Sequence, residues 1–278
     1  MTNRLELNWK LDGFVDEQRY YCSETAIDVN NLPLPKAVLA GDVRFYVDTD
    51  IDVGKTYYVA VGSVKNGVER LSEVRLVRAV GGDEYWDKVV ALLHFDGDLT
   101  DETGRVWNLG GSVLTEDGRF DGGLRRYGGE DSTHTDSLEL YGDTYTIEFW
   151  YRQDANTWQF SAIFAVGTDS ILFRVNPEGG IELLTNNNTY VGSGISPIIG
   201  GWYHICIQRN DEGVLGWYVD GIYRGGIVSN PDNGYVRIGY SPKDPNNAWF
   251  TLDELRITKG VARYTTSFTP PTKPFPDN

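Results

Sequence analysis

Apolar and polar residues alternate at period two in many short runs of this sequence, and this pattern constrains the fold more than any other feature. Three of the clearest runs are YTIEFWYR, WYHICIQR and GYVRIGY. Successive side chains of a strand point to opposite faces, so the alternation predicts half-buried β-strands. An apolar period of 3.6 residues is never sustained for long, and 32 glycines among 278 residues supply turns. The sequence therefore predicts an all-β fold.

The charge balance excludes several classes of partner. The chain has 40 acidic and 25 basic residues, a formal net charge of −15, and its basic residues do not cluster along a phosphate-binding surface. We therefore predict no nucleic-acid partner. No run of about 18 apolar residues is present to span a bilayer, and the opening residues MTNRLELNWKLDG lack the apolar segment of a signal peptide. We expect a soluble protein, without membrane insertion, that is made without a signal peptide.

A Gly-Gly-Asp-Glu turn within AVGGDEYWD, residues 79–87, separates two strand-rich regions and predicts a domain boundary. We place the first domain at residues 1–80 and the second at residues 81–278. The two cysteines, Cys22 and Cys206, then fall in different domains, so we expect no disulfide between them. This excludes a small secreted scaffold that disulfides hold together.

The first domain contains LELNW and TYYVAVGSVKNGVERLSEV, which resemble parts of a fibronectin type III module over about 75 residues. In such a sandwich Leu5, Leu7 and Trp9 would form one inward-facing row. A fibronectin module has a further strand before the tryptophan-bearing one, and only Met1–Asn3 stand in that place here. The resemblance therefore implies either an incomplete sandwich or an edge that another chain covers.

The second domain carries GWYHICIQRNDEGVLGWYVDGIYRGG at residues 201–226. This segment resembles the pattern W-x-H-[VI]-x-[VI]-x-R, a hairpin and then [YW]-x-D-G of the laminin-G-like, concanavalin A-like jelly roll. Asp220 and Gly221 would supply the positive φ of a tight hairpin turn. His204 is predicted to be a packed sheet residue rather than a ligand or a catalyst. The fold class that follows is all-β, with a small immunoglobulin- or fibronectin-like sandwich followed by a jelly-roll sandwich.

The two ends of the second domain make the resemblance more specific. DEYWDKVVALLHFDGDLTDETGRVW opens the domain and DELRITKGVARYTTSFTPPTKPFPD closes it. Together they resemble laminin-G-like domains of tailed-bacteriophage virion proteins, in which a fibronectin-type module often precedes. The resemblance implies a non-enzymatic virion component, associated with the tail, whose lectin-like jelly roll binds a host-surface glycan or protein during adsorption.

The same resemblance implies the setting of the protein. The first domain would contact other virion subunits, the protein would be oligomeric in the particle, and it would be made in the host cytoplasm. Two alternatives to the adsorption role stay open. One is a capsid or tail decoration protein without a ligand, and the other is a carbohydrate-active hydrolase.

Catalytic carboxylates would favour the hydrolase. Jelly-roll glucanases place them as E-x-D-x-x-E on one strand, where alternate residues reach the same cleft. That spacing does not occur here, and Asp253 and Glu254 are adjacent, so they are expected on opposite faces of their strand. Ser132, His134 and Asp136 lie in a polar segment that is more typical of a solvated loop than of a catalytic triad. We therefore predict no catalytic residue and no enzymatic activity.

The acidic segment FDGDLTDETG predicts a calcium site, because calcium accepts carboxylate and carbonyl oxygens in loose geometry. The resemblance to calcium-binding laminin-G-like and pentraxin-like domains adds Asp253, since the first and last strands of that fold pair and bring it close to Asp96. The predicted metal ligands are Asp96, Asp98 and Asp253, with Glu254 on the other face. The alternative is that these acids are salt-bridged or hydrogen-bonded structural groups. No other cofactor is expected.

Aromatic residues in loops are the candidates for glycan binding, because a pyranose stacks its apolar face on a ring while its hydroxyls pair with polar groups. The predicted ligand-binding residues are Trp158, Asn187, Tyr190 and Tyr240. Trp249 leads into the last strand and is expected in the core. A protein–protein interface would use the same residue types.

The C-terminal tail TTSFTPPTKPFPDN contains four prolines, which remove backbone donors and fix φ. It is therefore predicted to form neither helix nor central strand. We expect an extended tail that lays Phe268 and Phe275 along the sandwich, and the alternative is a disordered end.

Overall fold

The computed structural model of the chain describes residues 5–52, 54–79, 82–129, 131–185, 189–191, 195–244 and 248–277. The chain divides into two compact units, Met1–Glu84 and Tyr85–Asp277. The predicted domain boundary, at residues 80 and 81, lies outside the described residues. Apart from a 3-10 helix at Trp86–Lys88, the described regular structure is β-strand, so the prediction of an all-β fold is confirmed. No helix in the described ranges has the length and apolar content that a membrane crossing requires.

The first unit is built from antiparallel strands. They are β1 (Leu5–Asn8), β2 (Glu17–Ser23), β3 (Ala37–Ala40), β4 (Phe45–Asp48), β5 (Thr56–Lys65), β6 (Val68–Leu71) and β7 (Arg75–Arg78). β1 pairs with β4, and a second sheet has the order β3-β2-β5-β6 with β7 also paired to β5. Tyr20, Tyr57 and Val59 form a buried cluster against which Leu5 and Leu7 pack. This placement agrees with the predicted inward row for Leu5 and Leu7, whereas the fibronectin type III assignment stays a prediction.

The second unit contains the remaining strands. They are β8 (Val89–Leu93), β9 (Trp107–Asn108), β10 (Ser112–Thr115), β11 (Gly123–Tyr127), β12 (Thr133–Leu138), β13 (Tyr145–Gln153), β14 (Ser161–Val166), β15 (Ile171–Val175), β16 (Ile181–Thr185), β17 (Thr189–Tyr190), β18 (Trp202–Arg209), β19 (Val214–Val219), β20 (Ile222–Val228), β21 (Gly234–Ile238) and β22 (Trp249–Lys259).

These strands form two sheets that enclose one apolar core. The sheet that we call the front sheet has the order β10-β11-β22-β13-β18-β19-β20, with β8 also paired to β22, and the back sheet has the order β17-β16-β15-β14-β21-β12-β9. Aromatic contacts from Phe149 and Trp217 of the front sheet to Phe173 of the back sheet cross this core. Leu255 of β22 pairs with Leu93 of β8, so the last strand joins the first, as the family resemblance implied.

Within the polar run, residues 133–136 belong to strand β12, and the expectation of a solvated loop is wrong for His134 and Asp136, whereas Ser132 precedes the strand. Thr133 and Thr135 of β12 are almost fully buried. Their hydroxyls donate to the carbonyl oxygens of Leu109 at 2.6 Å and Val106 at 2.7 Å. A polar run can enter a sandwich when each inward hydroxyl has an acceptor.

The C-terminal segment, residues 261–277, is extended and lies against the outer face of the front sheet, the face turned away from the core. The Phe268 N–H donates to the carbonyl oxygen of Gly221 at 3.0 Å, and Phe268 stacks on Tyr264 with ring centroids 3.5 Å apart. Phe275 is 4% exposed. The prediction that the tail lays two phenylalanines along the sandwich is therefore confirmed.

Candidate functional site

A β-bulge in β22 places Asp253 and Glu254 on the same face of the front sheet. The register between β13 and β22 shifts at this point, and Glu254 has a φ of 55°. An extra residue in the left-handed region interrupts the alternation of a strand, so Leu252 and Leu255 on either side both reach the core. The prediction that the two acids face opposite sides is wrong for this reason.

Asp253 is fully buried, and its carboxylate holds the loop between β10 and β11. Oδ2 accepts the backbone N–H of Arg119 at 2.7 Å and of Phe120 at 3.0 Å, while Oδ1 has no hydrogen-bond partner among the described residues. Asp96 holds the same loop, because its Oδ1 accepts the N–H of Gly122 at 2.6 Å. Burial raises the pKa of Asp253 to about 7, and the charge of Asp96 adds to this rise. The structure thus brings Asp96 and Asp253 to one loop.

Glu254 connects this acidic cluster to the C-terminal segment. Its Oε1 lies 2.7 Å from His94 Nδ1, and its Oε2 accepts the backbone N–H of Phe275 at 2.6 Å. Burial raises the pKa of Glu254, and the hydrogen bond to Glu254 raises the pKa of His94. Both shifts favour a proton held between the carboxyl group and the imidazole.

Asp98 lies on the exposed turn that follows β8. Its Oδ1 accepts the N–H of Thr100 at 2.8 Å, and this hydrogen bond lowers the pKa of Asp98. Within the described ranges, no group of three or more His, Cys, Asp and Glu side chains is arranged to hold a metal ion. Calcium takes six to eight oxygens, so the orphan Asp253 Oδ1 and the nearby Asp96 fit it only in part. The calcium ligands Asp96, Asp98 and Asp253 stay a prediction.

Glu148 is a buried carboxylate that anchors the C-terminal segment to β13. It accepts hydrogen bonds from Arg256 Nη2 and from Tyr264 Oη, both at 2.8 Å, and His204 Nε2 lies 3.4 Å away. Burial alone would raise the pKa of Glu148, but the Arg256 charge, with His204 and Arg263, holds it far below its usual value. The lowered pKa favours the ionised form of Glu148, which serves as a structural anchor. His204 is fully buried against the Trp150 ring, as the predicted packed sheet residue.

The residues predicted to bind a glycan are spread over the second unit. Trp158 is 83% exposed in the loop between β13 and β14, and Tyr190 is 48% exposed on β17. Tyr240 is half-buried after β21, and Asn187 lies outside the described residues. Two strands separate β17 from β14, a distance of about 14 Å between those strands at the usual spacing. Tyr190 is therefore remote from the Trp158 loop, and the binding role of these residues stays a prediction.

An exposed aromatic pair, which sequence reasoning missed, lies on the neighbouring strands β11 and β22. Tyr127 and Trp249 are cross-strand partners with ring centroids 5.7 Å apart, and they are 52% and 48% exposed. The expectation that Trp249 lies in the core is wrong, because Phe250 takes the core-facing position of the strand. Only the pairing of two distant segments brings Tyr127 beside Trp249, so no local pattern could have revealed the pair.

Tyr127 of this pair lines a groove of about 410 Å³ that we call the Arg–Asp groove. The lining residues are Asp117, Arg125, Tyr127, Arg152, Asp154, Ile199 and Gly200. Two guanidinium groups alternate with two carboxylates in it. Arg125 Nη2 and Arg152 Nη2 lie 2.7 and 3.0 Å from Asp117 Oδ2. Arg152 Nε lies 2.6 Å from Asp154 Oδ1. The Arg152 hydrogen bond lowers the pKa of Asp117, so this carboxylate stays ionised beside the two guanidinium groups.

This arrangement suits recognition better than proton transfer. A general acid for glycoside cleavage needs a raised pKa and access to the substrate. Among the described acids, Asp253 and Glu254 have raised pKa values, and both are at most 1% exposed. The accessible carboxylate Asp117 has a lowered pKa. The groove therefore offers fixed donors and acceptors beside an aromatic surface.

A comparison with protein-family models matches residues 127–263 to the family described as the concanavalin A-like lectin/glucanases superfamily. This range contains the motif at residues 201–226 and both rings of the exposed aromatic pair. The jelly-roll fold predicted for the second domain is thereby confirmed. A comparison with curated protein sequences gives no significant match.

Solved structures similar to this chain include the binding domain of Paraclostridial mosquitocidal protein 1, with a TM-score of 0.50 at 14% identity over 65% of this chain and 51% of that one. The binding domain of botulinum neurotoxin serotype D has a TM-score of 0.51 at 13% identity over 63% of this chain and 49% of that one. Trypanosoma rangeli sialidase has a TM-score of 0.51 at 14% identity over 73% of this chain and 40% of that one. This chain therefore spans about half or less of each structure, and the similarity shows the fold.

Proposed function

We propose that this protein is a non-enzymatic, tail-associated component of a bacteriophage virion, and that its jelly roll binds a host-surface glycan or protein during adsorption. The observation that carries the binding role is the exposed Tyr127–Trp249 pair beside the Arg–Asp groove. A sugar ring stacks its apolar face on such rings, and its hydroxyls pair with fixed carboxylates and guanidinium groups. Two of the similar structures are binding domains of toxins, which supports this role.

The charge pattern of the groove favours a glycan over a nucleic acid or an acidic peptide. Asp117 and Asp154 neutralise Arg125 and Arg152 at short range, and the chain carries a net charge of −15. A polyanion would meet repulsion from the molecule as a whole. The ion pairs can still donate and accept hydrogen bonds without any change of their protonation state.

A glycan array with the full chain tests this proposal, using capsular, lipopolysaccharide and peptidoglycan fragments as probes. We expect binding to a subset of the array, and Tyr127→Ala and Trp249→Ala should each weaken it by about tenfold or more, because each removes half of the aromatic surface. Tyr235→Ala is the matched control, since Tyr235 is 51% exposed but lies on β21 of the back sheet. Binding that neither groove variant changes would contradict the assignment of the site.

Two further outcomes separate the alternatives. Absence of binding to the array and to host cells would favour a decoration protein without a ligand. Release of reducing sugar from a bound polysaccharide would show a hydrolase, which the lowered pKa of the accessible Asp117 argues against.

The virion setting rests on the resemblance of the two ends of the jelly roll to phage virion proteins. It includes contacts of the first unit with other virion subunits and an oligomeric arrangement in the particle. Antibody labelling of purified particles in the electron microscope tests both. Labels at the tail with a fixed number of copies per particle would support the proposal, and labels on the capsid alone would favour decoration.

Calcium is proposed as a cofactor at the predicted ligands Asp96, Asp98 and Asp253, and the orphan Asp253 Oδ1 is the observation that favours a cation there. An ion that binds only the folded state stabilises it by an amount that grows with the logarithm of the ion concentration over the dissociation constant. Calcium added after EDTA should therefore raise the Tm of the wild type and leave Asp253→Asn unchanged. An equal rise in both proteins, or none in either, would remove calcium from this site.

A further inference from the structure

A second groove lies on the outer face of the front sheet, between strands β18 to β20 and the C-terminal segment. Its volume is about 310 Å³, and the consecutive residues Thr265, Thr266 and Ser267 form one wall. This volume is at the small end of the range for ligand pockets. Gln208 of this groove lies near the end of β18. Trp202 lies at the start of the same strand, where it pairs with Arg152 of the Arg–Asp groove. About 20 Å of strand separates those two positions, so the grooves are distinct.

The floor of the groove is a tyrosine ring that lies over glycines. Tyr223 is 49% exposed on β20. A Cβ at Gly216 would come within 2.9 Å of Tyr223 Cε2, and one at Gly226 would overlap Tyr223 Oη. Two glycines of adjacent strands thus leave the space that the ring fills. Tyr218 supports it from the side, with ring centroids 5.2 Å apart at 61°.

Fixed polar groups surround this ring. The Gln208 side chain donates to the carbonyl oxygen of Tyr264 and accepts its N–H at 3.3 Å, which holds the amide in place. Asn210 Oδ1 accepts the N–H groups of Glu212 at 3.1 Å and Val214 at 2.9 Å. With its oxygen so engaged, the Asn210 amide has a fixed orientation at the groove. Residues 265–267, each of which carries a hydroxyl group, are exposed and form the opposite wall.

Every described residue that lines this groove is uncharged. A carboxylate or phosphate ligand would find no lysine or arginine there, and the net charge of −15 would oppose it. A purely apolar ligand would leave the wall of hydroxyls and the amide unpaired, which costs binding free energy. The lining therefore matches a ligand with one apolar face and many hydroxyl groups.

We infer that this surface, the tyrosine groove, is a site for a neutral saccharide of about one or two rings. One sugar ring stacks on Tyr223, and its hydroxyls pair with Asn210 and with the hydroxyl wall of the C-terminal segment. The inference is independent of the proposed function, because the site shares no residue with the Arg–Asp groove. The C-terminal segment then has a recognition role in addition to covering the sheet.

The test uses the full chain and a panel of neutral mono- and disaccharides of glucose, galactose, mannose and N-acetylglucosamine. Saturation-transfer NMR identifies the best binder, and calorimetry gives its Kd for the wild type, Tyr223→Ala and Tyr223→Phe. We expect Tyr223→Ala to weaken binding by at least about tenfold, because the stacking surface is lost, and Tyr223→Phe to stay within about threefold, because the ring remains. Thermal unfolding curves of both variants check that each remains folded at the temperature of the binding measurement, because the half-buried ring of Tyr223 also packs against Tyr218.

Tyr235→Ala serves as the control here as well and should bind as the wild type does. Failure of every neutral saccharide to bind, or equal affinity of Tyr223→Ala and wild type, would overturn the inference. Binding that is lost in Tyr127→Ala but kept in Tyr223→Ala would place the sugar in the Arg–Asp groove, which would overturn the tyrosine groove and leave the proposed function standing. The reverse pattern would support the tyrosine groove alone.

Discussion

Asp253 gives the second unit a dependence of stability on pH that one isosteric variant can isolate. Its pKa is raised from 3.8 to about 7, so the folded protein holds a proton that the unfolded chain releases. The stability from this proton is fully present below about pH 4 and is lost as the pH rises through about 7. Asp253→Asn keeps the acceptor for the two loop N–H groups and removes the titration. In EDTA, we expect the free energy of unfolding of Asp253→Asn, relative to that of the wild type, to rise by about 2 kcal/mol between pH 5.5 and 8, measured by urea unfolding.

Asp98→Asn is the matched control for this measurement. Asp98 is exposed and its pKa is lowered, so it is ionised in both states throughout this pH range and its removal should leave the pH profile parallel to that of the wild type. A parallel profile for Asp253→Asn as well would mean that Asp253 is ionised in the folded protein.

The position of Asp253 was predictable from the sequence only in part. The acids of DELRIT were recognised as the important pair, and the approach of the first and last strands was predicted. Their common face was not predicted, because a strand without a bulge puts adjacent residues on opposite sides. The bulge brings Asp253 to the loop N–H groups of Arg119 and Phe120, and Glu254 to His94 and Phe275. Those partners are far from one another in the sequence, so no local pattern predicts these contacts.

Among the elements, the hairpin turn between β19 and β20 fixes the C-terminal segment. Gly221 has a φ of 73°, and a Cβ there would overlap the carbonyl oxygen of Phe268. Gly221→Ala therefore has to displace the segment in addition to straining the turn. We expect this substitution to lower the free energy of unfolding by about 2–4 kcal/mol. It should also speed chymotrypsin cleavage after Phe268, which electrophoresis measures.

Gly213→Ala separates the cost of straining a turn from the cost of displacing the C-terminal segment. Gly213 has a similar φ of 76°, but the nearest atom to its added Cβ is the flexible end of Arg209, at 3.0 Å. The free energy of unfolding of this variant should fall by only about 1 kcal/mol, which is the cost of an alanine in the left-handed region. Equal losses in the two variants, with cleavage after Phe268 unchanged, would show that the segment does not depend on this turn.

The turn itself was predictable from its sequence, whereas its use as a docking point was not. Asp220-Gly221 is a strong local signal for a tight hairpin, and the prolines of the tail indicate an extended chain. The Glu148 network that holds the tail joins residues from β13, β22 and the C-terminal segment. Such a network forms only when the sheet brings these distant residues together. The sequence shows that its members are polar but not that they are in contact.

At the scale of the whole molecule, the sandwich was predictable and the proposed binding surface was not. Alternation at period two identifies strands because each strand must bury one face. Exposed grooves depend on which strand ends meet, and that is fixed by long-range pairing such as Tyr127 with Trp249. The loop aromatics chosen from the sequence met the chemical criterion for sugar binding, but the structure meets the same criterion with residues on strands.

The second unit should fold without the first, because its core is drawn from its own residues. We expect residues 85–278 alone to give a native near-UV circular dichroism spectrum and one cooperative calorimetric transition. A fragment of residues 96–278 should lose both. It lacks β8, which buries Ala91 and Leu93 in the core and pairs with Leu255–Thr258 of β22. β11 covers only the first half of that strand edge, so removal of β8 leaves the second half open to other chains. A cooperative transition in the shorter fragment would show that the closing pair of strands is dispensable for this jelly roll.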